Sequence, residues 1–460
     1  MSVFRGPWSV AETLDQLQMT SEKFSKCRFA TDDGQQTTDD TSPQEPWSIN
    51  PHKSQRFLME GSPFILGVNY WPQRTAMFMW REFDKAVMDQ DVAIISGLGL
   101  SCIRIYLLWE DFQPTPKTVP AVMLERLVEL LEMAEEKNIK VVVTLFTGHI
   151  CGLNWLPPWM LLASADPNQS PVFSLGKVRF NRIKSPYGEP DIMESQIYFL
   201  GELANAVSGH PALLCWDLGN EPSRWSPSAD NFAVEIWLQA MTETMKKRDD
   251  RVLLTLNLHV SDLGRSKGLT PSLAAKYLDY LSISGQPQGV PWAGDPFSPA
   301  LPCFLGSVAG WLGKVPVMIQ EFGLATKSIL PGRRDSEQGS KGDQLLASEE
   351  DAAMYAEDVI LNLRRLHLMG ALWKSYGDYH PSIWEWPPLN NLTTERFSGL
   401  VRYDGTLKVA ASVFKSEVSG LEKEGISSEW IDLSQEEYYR DPDKHLRRLY
   451  GRFRDYYSFA

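Results

Sequence analysis

The 460-residue sequence has few cysteines, no long apolar stretch and no run of basic residues. Its five cysteines are scattered without a C-x-x-C pair, which argues against a disulfide framework and a cysteine zinc site and favours a reducing compartment. No apolar segment follows Met1, and no run of about 18 apolar residues occurs, so neither a signal peptide nor a membrane-spanning helix is predicted. A cytoplasmic protein is therefore expected.

Charge and histidine usage exclude further classes. The 45 Lys and Arg against 58 Asp and Glu give a net charge of −13, which disfavours binding to the phosphate backbone of nucleic acids. The seven histidines form neither an H-x-H pair after the first strand nor an H-E-x-x-H pair, so a metal-dependent hydrolase lacks support and no cofactor is expected. Aromatic residues are abundant instead, with 16 Trp and 15 Tyr.

The texture of the sequence changes twice along the chain. Residues 1–56 are polar and lack sustained periodicity, which predicts a partly disordered N-terminal arm. Residues 57–419 alternate short apolar runs with amphipathic stretches, the pattern of repeated βα units. Residues 420–460 are charged and aromatic, and we expect a helical tail that packs on the preceding domain or on a partner.

Eight apolar runs predict eight β-strands, at 63–71, 101–109, 139–146, 212–220, 251–259, 278–284, 315–323 and 370–378. Helical patterns separate most of them, at 80–97, 120–137, 192–208, 230–247, 299–312, 348–368 and 407–418. The sequence thus predicts an α/β protein with a (β/α)₈ TIM barrel. A doubly wound open sheet is the alternative, but the first strand leads into Tyr70-Trp71-Pro72 and not into a glycine-rich turn.

Two glutamates stand where barrel enzymes place their chemistry, at the carboxyl ends of strands. Glu221 ends the fourth strand in WDLGNEP, and Glu321 ends the seventh in MIQEFG. Each follows an apolar run, where a charge is costly unless it faces a cleft. Two carboxylates about 5 to 5.5 Å apart would suit a retaining glycosidase, whereas a single strand-end Glu is more often a solvated or salt-bridged residue.

An ordered set of motifs carries a family resemblance: Asn220-Glu221-Pro222 after the fourth strand, Glu321 after the seventh, Arg104 in the second and Trp373 in the eighth. Together with GVNYWP, WEDFQP and ERFSGLVRYDGTLKVAA, it resembles the clan of retaining β-glycosidases with (β/α)₈ barrels. Family 5 glycoside hydrolases and their mannanase-like or β-mannosidase-like relatives are nearest. The resemblance spans residues 57–416.

The resemblance implies roles for these residues. Glu221 would be the acid/base and Glu321 the nucleophile, and Asn220 would bind the sugar 2-hydroxyl. Arg104 would keep Glu321 ionised, and Trp373 would form the platform beneath the sugar. Further substrate-binding candidates are His149, Asn69, Trp71, Trp155 and Tyr379; His149, Asn69 and Trp71 could equally be packing residues.

One departure concerns the sixth strand, where family members commonly carry a His-x-Tyr pattern whose hydroxyl supports the nucleophile. The stretch LSISGQPQG offers Ser284 and Gln286 instead. We expect either the Gln286 amide or another residue, such as Tyr376, Tyr379 or His259, to supply that support.

The expected function is hydrolysis of β-glycosidic bonds with retention, with β-mannosides ranked before β-glucosides and β-galactosides. The expected substrate is a carbohydrate, with a preference for small glycosides that are cleaved from one end. No nucleic acid or membrane partner is expected. Homo-oligomerisation is left open. The competing hypothesis is a carbohydrate-binding pseudoenzyme barrel that lacks turnover.

Overall fold

Eight parallel strands close into a barrel in the computed structural model, which describes residues 64–166, 170–228, 230–286, 290–326, 346–415 and 429–459. The predicted arm at 1–56 and the predicted boundary at 419 and 420 lie outside these ranges. The strands are β1 (Ile65–Asn69), β2 (Cys102–Leu108), β3 (Lys140–Thr147), β4 (Leu213–Asn220), β5 (Leu253–Leu258), β6 (Leu281–Ser284), β7 (Val317–Phe322) and β8 (Gly370–Trp373). The predicted TIM barrel is confirmed.

Strand order follows chain order around the barrel. Each strand pairs in parallel with its sequence neighbours, and β1 pairs with β8, with Ile65 opposite Gly370, so that no edge remains. The strands are buried on both faces, which explains why β3 reads KVVVTLFT and not as an alternation of apolar and polar residues. Parallel strands place all their carboxyl ends at one mouth of the barrel.

Helices form the outer layer. The long ones are α1 (Lys85–Gly97), α2 (Ala121–Glu136), α3 (Pro190–Val207), α4 (Asn231–Lys246), α5 (Ala300–Gly313), α6 (Glu349–Arg365) and α7 (Pro442–Tyr457). The ambiguous link between β5 and β6 holds two single-turn helices, Val260–Leu263 and Pro271–Ala274; other short helices are Trp109–Phe112, Thr393–Arg396, Ala411–Lys415 and Gln435–Tyr438. In the described part of the chain, no helix has the length and apolar character needed to cross a bilayer.

An insertion after β3 builds one wall of the mouth. It contains a four-stranded sheet of His149–Ile150, Leu153–Trp155, Val172–Ser174 and Lys177–Arg179, and a two-stranded sheet of Leu161–Ala165 and Asn181–Ile183. A further two-stranded sheet lies after β8, where Ser375–Gly377 pairs in parallel with Gly399–Val401. Both additions extend the barrel at its carboxyl end.

The C-terminal segment packs on the barrel through aromatic residues. Phe304 of α5 lies 5.1 Å from Tyr450, 5.6 Å from Phe453 and 5.8 Å from Trp430, measured between ring centroids. These rings are buried, whereas the charged residues of α7 form ion pairs at the surface, such as Arg447 with Asp443. The aromatic composition of the tail therefore reflects its packing on α5.

Candidate active site

A cavity of about 130 Å³ opens at the carboxyl ends of the strands. Its lining comes from several barrel strands, from the insertion after β3 and from the helix Thr393–Arg396: Trp71, Tyr106, His149, Ile150, Cys151, Gly152, Asn220, Glu221, Arg224, Gln286, Glu321, Lys374, Ser375, Tyr379 and Glu395. The two carboxylates predicted from the sequence thus share one cavity, with β4 and β7 supplying them from opposite sides of the barrel.

Glu221 occupies a strained turn. Its backbone has φ 48° and ψ 52°, the left-handed region that few non-glycine residues adopt. The turn is held by the Glu221 N–H, which donates to the Asn257 carbonyl at 2.9 Å. Strained residues of this kind cluster at functional sites because the surrounding structure must hold them against their preference.

The charge on Glu221 is stabilised by its neighbours. Burial by itself raises the pKa of Glu221, but His259, Arg224, His149 and a hydrogen bond with Ser284 together hold that pKa below its ordinary value. Arg224 Nη1 lies 3.5 Å from the carboxylate Oε2. Glu221 is therefore ionised at neutral pH.

Glu321 behaves in the opposite way. Burial raises its pKa to about 7, and the negative charges of Glu221 and Glu395 add to this, while Lys374 and Arg104 lower it. Glu321 is therefore the more readily protonated of the two carboxyl groups. For the predicted roles, a proton must lie on Glu221 when the glycosidic bond is cleaved.

Arg104 lies beneath the cavity and pairs with another carboxylate. Its Nη2 donates to Asp217 at 2.6 Å and to the Asn220 side-chain oxygen at 2.9 Å, and its Nε donates to the Thr144 hydroxyl at 2.8 Å. The sequence predicts that Arg104 keeps Glu321 ionised. Arg104 does lower the pKa of Glu321, but it is the smallest of the main influences on that pKa, and its hydrogen-bond donors contact Asp217 and neighbouring residues.

Asn220 is held by three partners. Its side-chain oxygen also accepts from Asn257 at 2.8 Å, and its amide nitrogen donates to the His149 carbonyl at 2.5 Å. An amide nitrogen carries two hydrogens, so one donor is left for a ligand in the cavity. This geometry is compatible with the predicted contact to a sugar hydroxyl.

Four other predicted residues line the cavity: His149, Trp71, Tyr379 and Gln286. His149 Nδ1 contacts the Asn154 side-chain oxygen at 2.9 Å, and burial lowers the pKa of His149 to about 4. The imidazole is therefore neutral and can accept a hydrogen bond at Nε2. Trp71 stacks on Tyr106 with ring centroids 5.0 Å apart.

Three predicted residues have other positions. Asn69 donates to the Gln320 and Trp373 carbonyls at 3.0 and 3.1 Å, inside the barrel. Trp155 packs against Phe173 within the insertion. Trp373 is 1% exposed, packs edge-to-face on Phe322 at 5.3 Å and donates from its indole to the Ser398 carbonyl, so the structure corrects its predicted role as a platform inside the cavity.

Six polar or reactive residues of the lining were not predicted from the sequence: Tyr106, Cys151, Arg224, Lys374, Ser375 and Glu395. A signal existed for Lys374, which follows an apolar strand just as Glu221 does. No local signal existed for Glu395, which lies on a single-turn helix and reaches the cavity only through the fold. Across the described ranges, no group of His, Cys, Asp and Glu side chains is arranged to hold a metal ion.

The Arg104–Asp217 pair gives a stability prediction. Both side chains are fully buried, so Arg104→Met leaves an uncompensated carboxylate inside the barrel. We expect the free energy of unfolding to fall by about 3–5 kcal/mol, measured by urea denaturation at pH 7. Arg104→Met/Asp217→Leu should recover part of this loss because no charge remains, and a loss below about 1 kcal/mol in the single variant would contradict the proposed pairing.

No family model matches the sequence, and no curated protein matches it. Solved structures of similar fold do match the chain. A GH5_18 protein from Streptomyces cattleya in complex with GlcNAc has a TM-score of 0.62 and 19% identity, covering 76% of this chain and 79% of that chain. A variant of the same protein in complex with Manβ1-4GlcNAc has a TM-score of 0.62 and 19% identity, covering 77% and 79%. The exo-beta-1,4-mannosidase Op5Man5 from Opitutaceae bacterium strain TAV5 has a TM-score of 0.60 and 22% identity, covering 77% of this chain and 58% of that chain.

These likenesses concern the fold. The chain has the barrel of solved family 5 glycoside hydrolases, so the resemblance inferred from the motifs is confirmed at the level of the fold.

Proposed function

We propose that the chain is a retaining glycoside hydrolase acting on β-glycosidic bonds, with β-mannosides favoured over β-glucosides and β-galactosides. The observation that carries the proposal is the pair of glutamates that line one cavity, the buried Glu221 directly after β4 and the partly buried Glu321 on β7. The preference for mannosides is supported by two proteins of similar fold, one with Manβ1-4GlcNAc bound and the other an exo-beta-1,4-mannosidase.

The mechanism follows from the two carboxyl groups. Glu221 protonates the leaving oxygen while Glu321 attacks the anomeric carbon, which breaks the glycosidic bond and forms a covalent glycosyl-enzyme. Glu221 then takes a proton from water, and the resulting hydroxyl displaces Glu321 with a second inversion. Asn220 donates to a sugar hydroxyl, and the contact strengthens in the transition state.

The first step requires a proton on Glu221, whereas the pKa of Glu321 is raised and that of Glu221 is lowered. These directions alone would favour Glu221 as nucleophile and Glu321 as acid. Strand position and the family resemblance support Glu321 as the nucleophile and Glu221 as the acid, and labelling of the nucleophile tests these roles.

Cavity size supports exo action. A volume of about 130 Å³ is below the range of roughly 300–1,000 Å³ that drug-sized ligands occupy. The insertion after β3 and the helix Thr393–Arg396 both contribute to the lining and narrow it. We therefore propose a site that holds one terminal sugar residue.

The alternative is a carbohydrate-binding protein without turnover. It would use the same cavity, in which Trp71 and Tyr379 provide aromatic surfaces for a sugar.

Turnover of aryl β-glycosides and β-linked disaccharides tests the proposal. We expect wild type to hydrolyse the mannoside, with the β-anomer appearing first by NMR, and Glu321→Ala to be inactive. Glycoside binding by calorimetry without turnover, in folded wild-type protein, would support the alternative. First appearance of the α-anomer would exclude retention.

A further inference from the structure

Four side chains form a continuous polar chain along the wall of the cavity. The Cys151 thiol donates to Glu395 Oε2 at 3.1 Å, and Lys374 Nζ donates to Glu395 Oε1 at 2.8 Å and to Gln286 Oε1 at 3.1 Å. All four residues line the cavity that holds Glu221 and Glu321. The chain joins the insertion after β3, the helix Thr393–Arg396 and the ends of β8 and β6.

Strand β8 turns Lys374 into the barrel mouth. Successive residues of an extended strand point to opposite sides, and Trp373 points outward to Phe322 and Phe414. The Lys374 N–H donates to the Phe322 carbonyl at 2.8 Å, which ties its backbone to the residue after Glu321. Lys374 thus lies beside the end of β7, with its side chain 15% exposed.

Lys374 also determines how the Gln286 amide is oriented. A lysine only donates, so the oxygen of the Gln286 amide must face it and the nitrogen must face away. That nitrogen is buried and has no hydrogen-bond partner among the described residues. Gln286 follows Gly285, whose N–H donates to the Glu321 carbonyl at 2.8 Å, so Gln286 lies just beyond the end of β6 and lines the same cavity as Glu321.

We propose that Lys374 is a positioning residue for Glu321. The Lys374 ammonium group, held by Glu395, supplies the positive charge that favours the ionised nucleophile. Lys374 also orients the Gln286 amide so that its nitrogen is the donor that supports this site. The proposal rests on the proposed hydrolase function. Lys374 after β8 and Gln286 after β6 would together give the nucleophile the support that a sixth-strand tyrosine would otherwise give.

The charged and titratable groups around Glu321 agree with this role. They are Arg104 and Tyr106 on β2, Glu221 after β4, Cys151 in the insertion, Lys374 after β8 and Glu395 in the following helix. Arg104 forms an ion pair with Asp217, with 2.6 Å between Arg104 Nη2 and Asp217 Oδ2. Lys374 is the strongest of the groups that lower the pKa of Glu321.

The pH dependence of kcat/KM in Lys374→Met tests the proposal. The substrate is the 2,4-dinitrophenyl β-glycoside of the sugar that wild type hydrolyses, because its leaving group needs no protonation and the acidic limb then reports Glu321 in the free enzyme. Removal of the cation raises the Glu321 pKa, so we expect the acidic limb to move up by about one pH unit or more, with wild type near pH 7. Lys374→Arg should keep the wild-type limb.

Glu395→Gln is expected to shift the acidic limb of the pH profile in the opposite direction. It removes a negative charge near Glu321 and frees the charge of Lys374, so the acidic limb should move to lower pH. This variant keeps the test decisive if Lys374→Met does not fold. Lys247→Met is the control for loss of a surface cation, since Lys247 is 65% exposed and pairs only loosely with Glu243 at 3.4 Å; its profile should match wild type.

The outcomes separate the two proposals. An inactive wild type overturns both the hydrolase function and the role of Lys374. Turnover that survives in Glu321→Ala overturns Glu321 as the nucleophile and with it the role of Lys374, but not the hydrolase function. Active wild type with unchanged acidic limbs in Lys374→Met and Glu395→Gln overturns only the role of Lys374. Opposite shifts in these two variants establish it.

Discussion

Glu321→Ala is expected to lose roughly 10⁴- to 10⁶-fold in kcat, since removal of a covalent nucleophile leaves only binding and electrostatic stabilisation. The measurement is initial-rate hydrolysis of the aryl β-glycoside that wild type prefers. Azide should restore turnover and release the α-glycosyl azide, because the small anion occupies the space of the carboxylate and attacks once, with inversion. A 2-deoxy-2-fluoro glycoside should label Glu321 in wild type.

Stability provides an independent check on the same variant. The pKa of Glu321 is raised from 4.5 to about 7, so the folded protein favours the protonated form. This contribution to stability is complete below pH 4.5 and is lost as pH rises through about 7. Glu321→Ala should therefore gain stability relative to wild type across that window, as measured by urea denaturation. Glu243→Ala, at an exposed position, should show no such trend.

Glu221→Ala is expected to lose roughly 10²- to 10⁴-fold in turnover of substrates with poor leaving groups, because the leaving oxygen departs without a proton. The loss in kcat/KM should nearly vanish for the 2,4-dinitrophenyl glycoside, whose leaving group needs no acid. Azide should speed the second step and release the β-glycosyl azide, since Glu321 still forms the covalent intermediate. The measurement compares the two leaving groups in wild type and variant.

The stereochemistry of the azide products distinguishes the two glutamates. If Glu221→Ala yields the α-azide and the fluoro sugar labels Glu221, the roles are exchanged, in the direction of the two pKa shifts. If both variants keep wild-type rates, these carboxylates do not catalyse hydrolysis. The proposed assignment requires the α-azide from Glu321→Ala and the β-azide from Glu221→Ala.

Much of the architecture was predictable from local pattern. Each strand of a parallel barrel is buried on both faces, so runs such as SCIRIYLLW and VPVMIQEFG stand out from the helices between them. The eight strands were therefore predicted in the right order. The interior of the insertion after β3 was not, because its strands are mostly two to three residues long and carry too little periodic signal.

Site residues divide by the kind of information that positions them. A polar residue directly after an apolar strand faces the mouth, which is why Asn220, Glu221 and Glu321 were found from the sequence. At the end of β8 this rule could not choose between the adjacent residues Trp373 and Lys374, because it does not say which of them points inward. Sequence resemblance favoured Trp373, whereas the structure turns Lys374 inward and packs Trp373 on Phe322.

The amino-acid sequence by itself determined the barrel and the presence of two strand-end glutamates, because burial and strand order follow from short-range pattern. Only the tertiary structure decided the partners of those glutamates. Arg104 meets Asp217 across 113 residues of sequence, and Cys151 meets Glu395 across 244. Such contacts depend on strand register and on where loops return to the barrel mouth, and no local pattern encodes either.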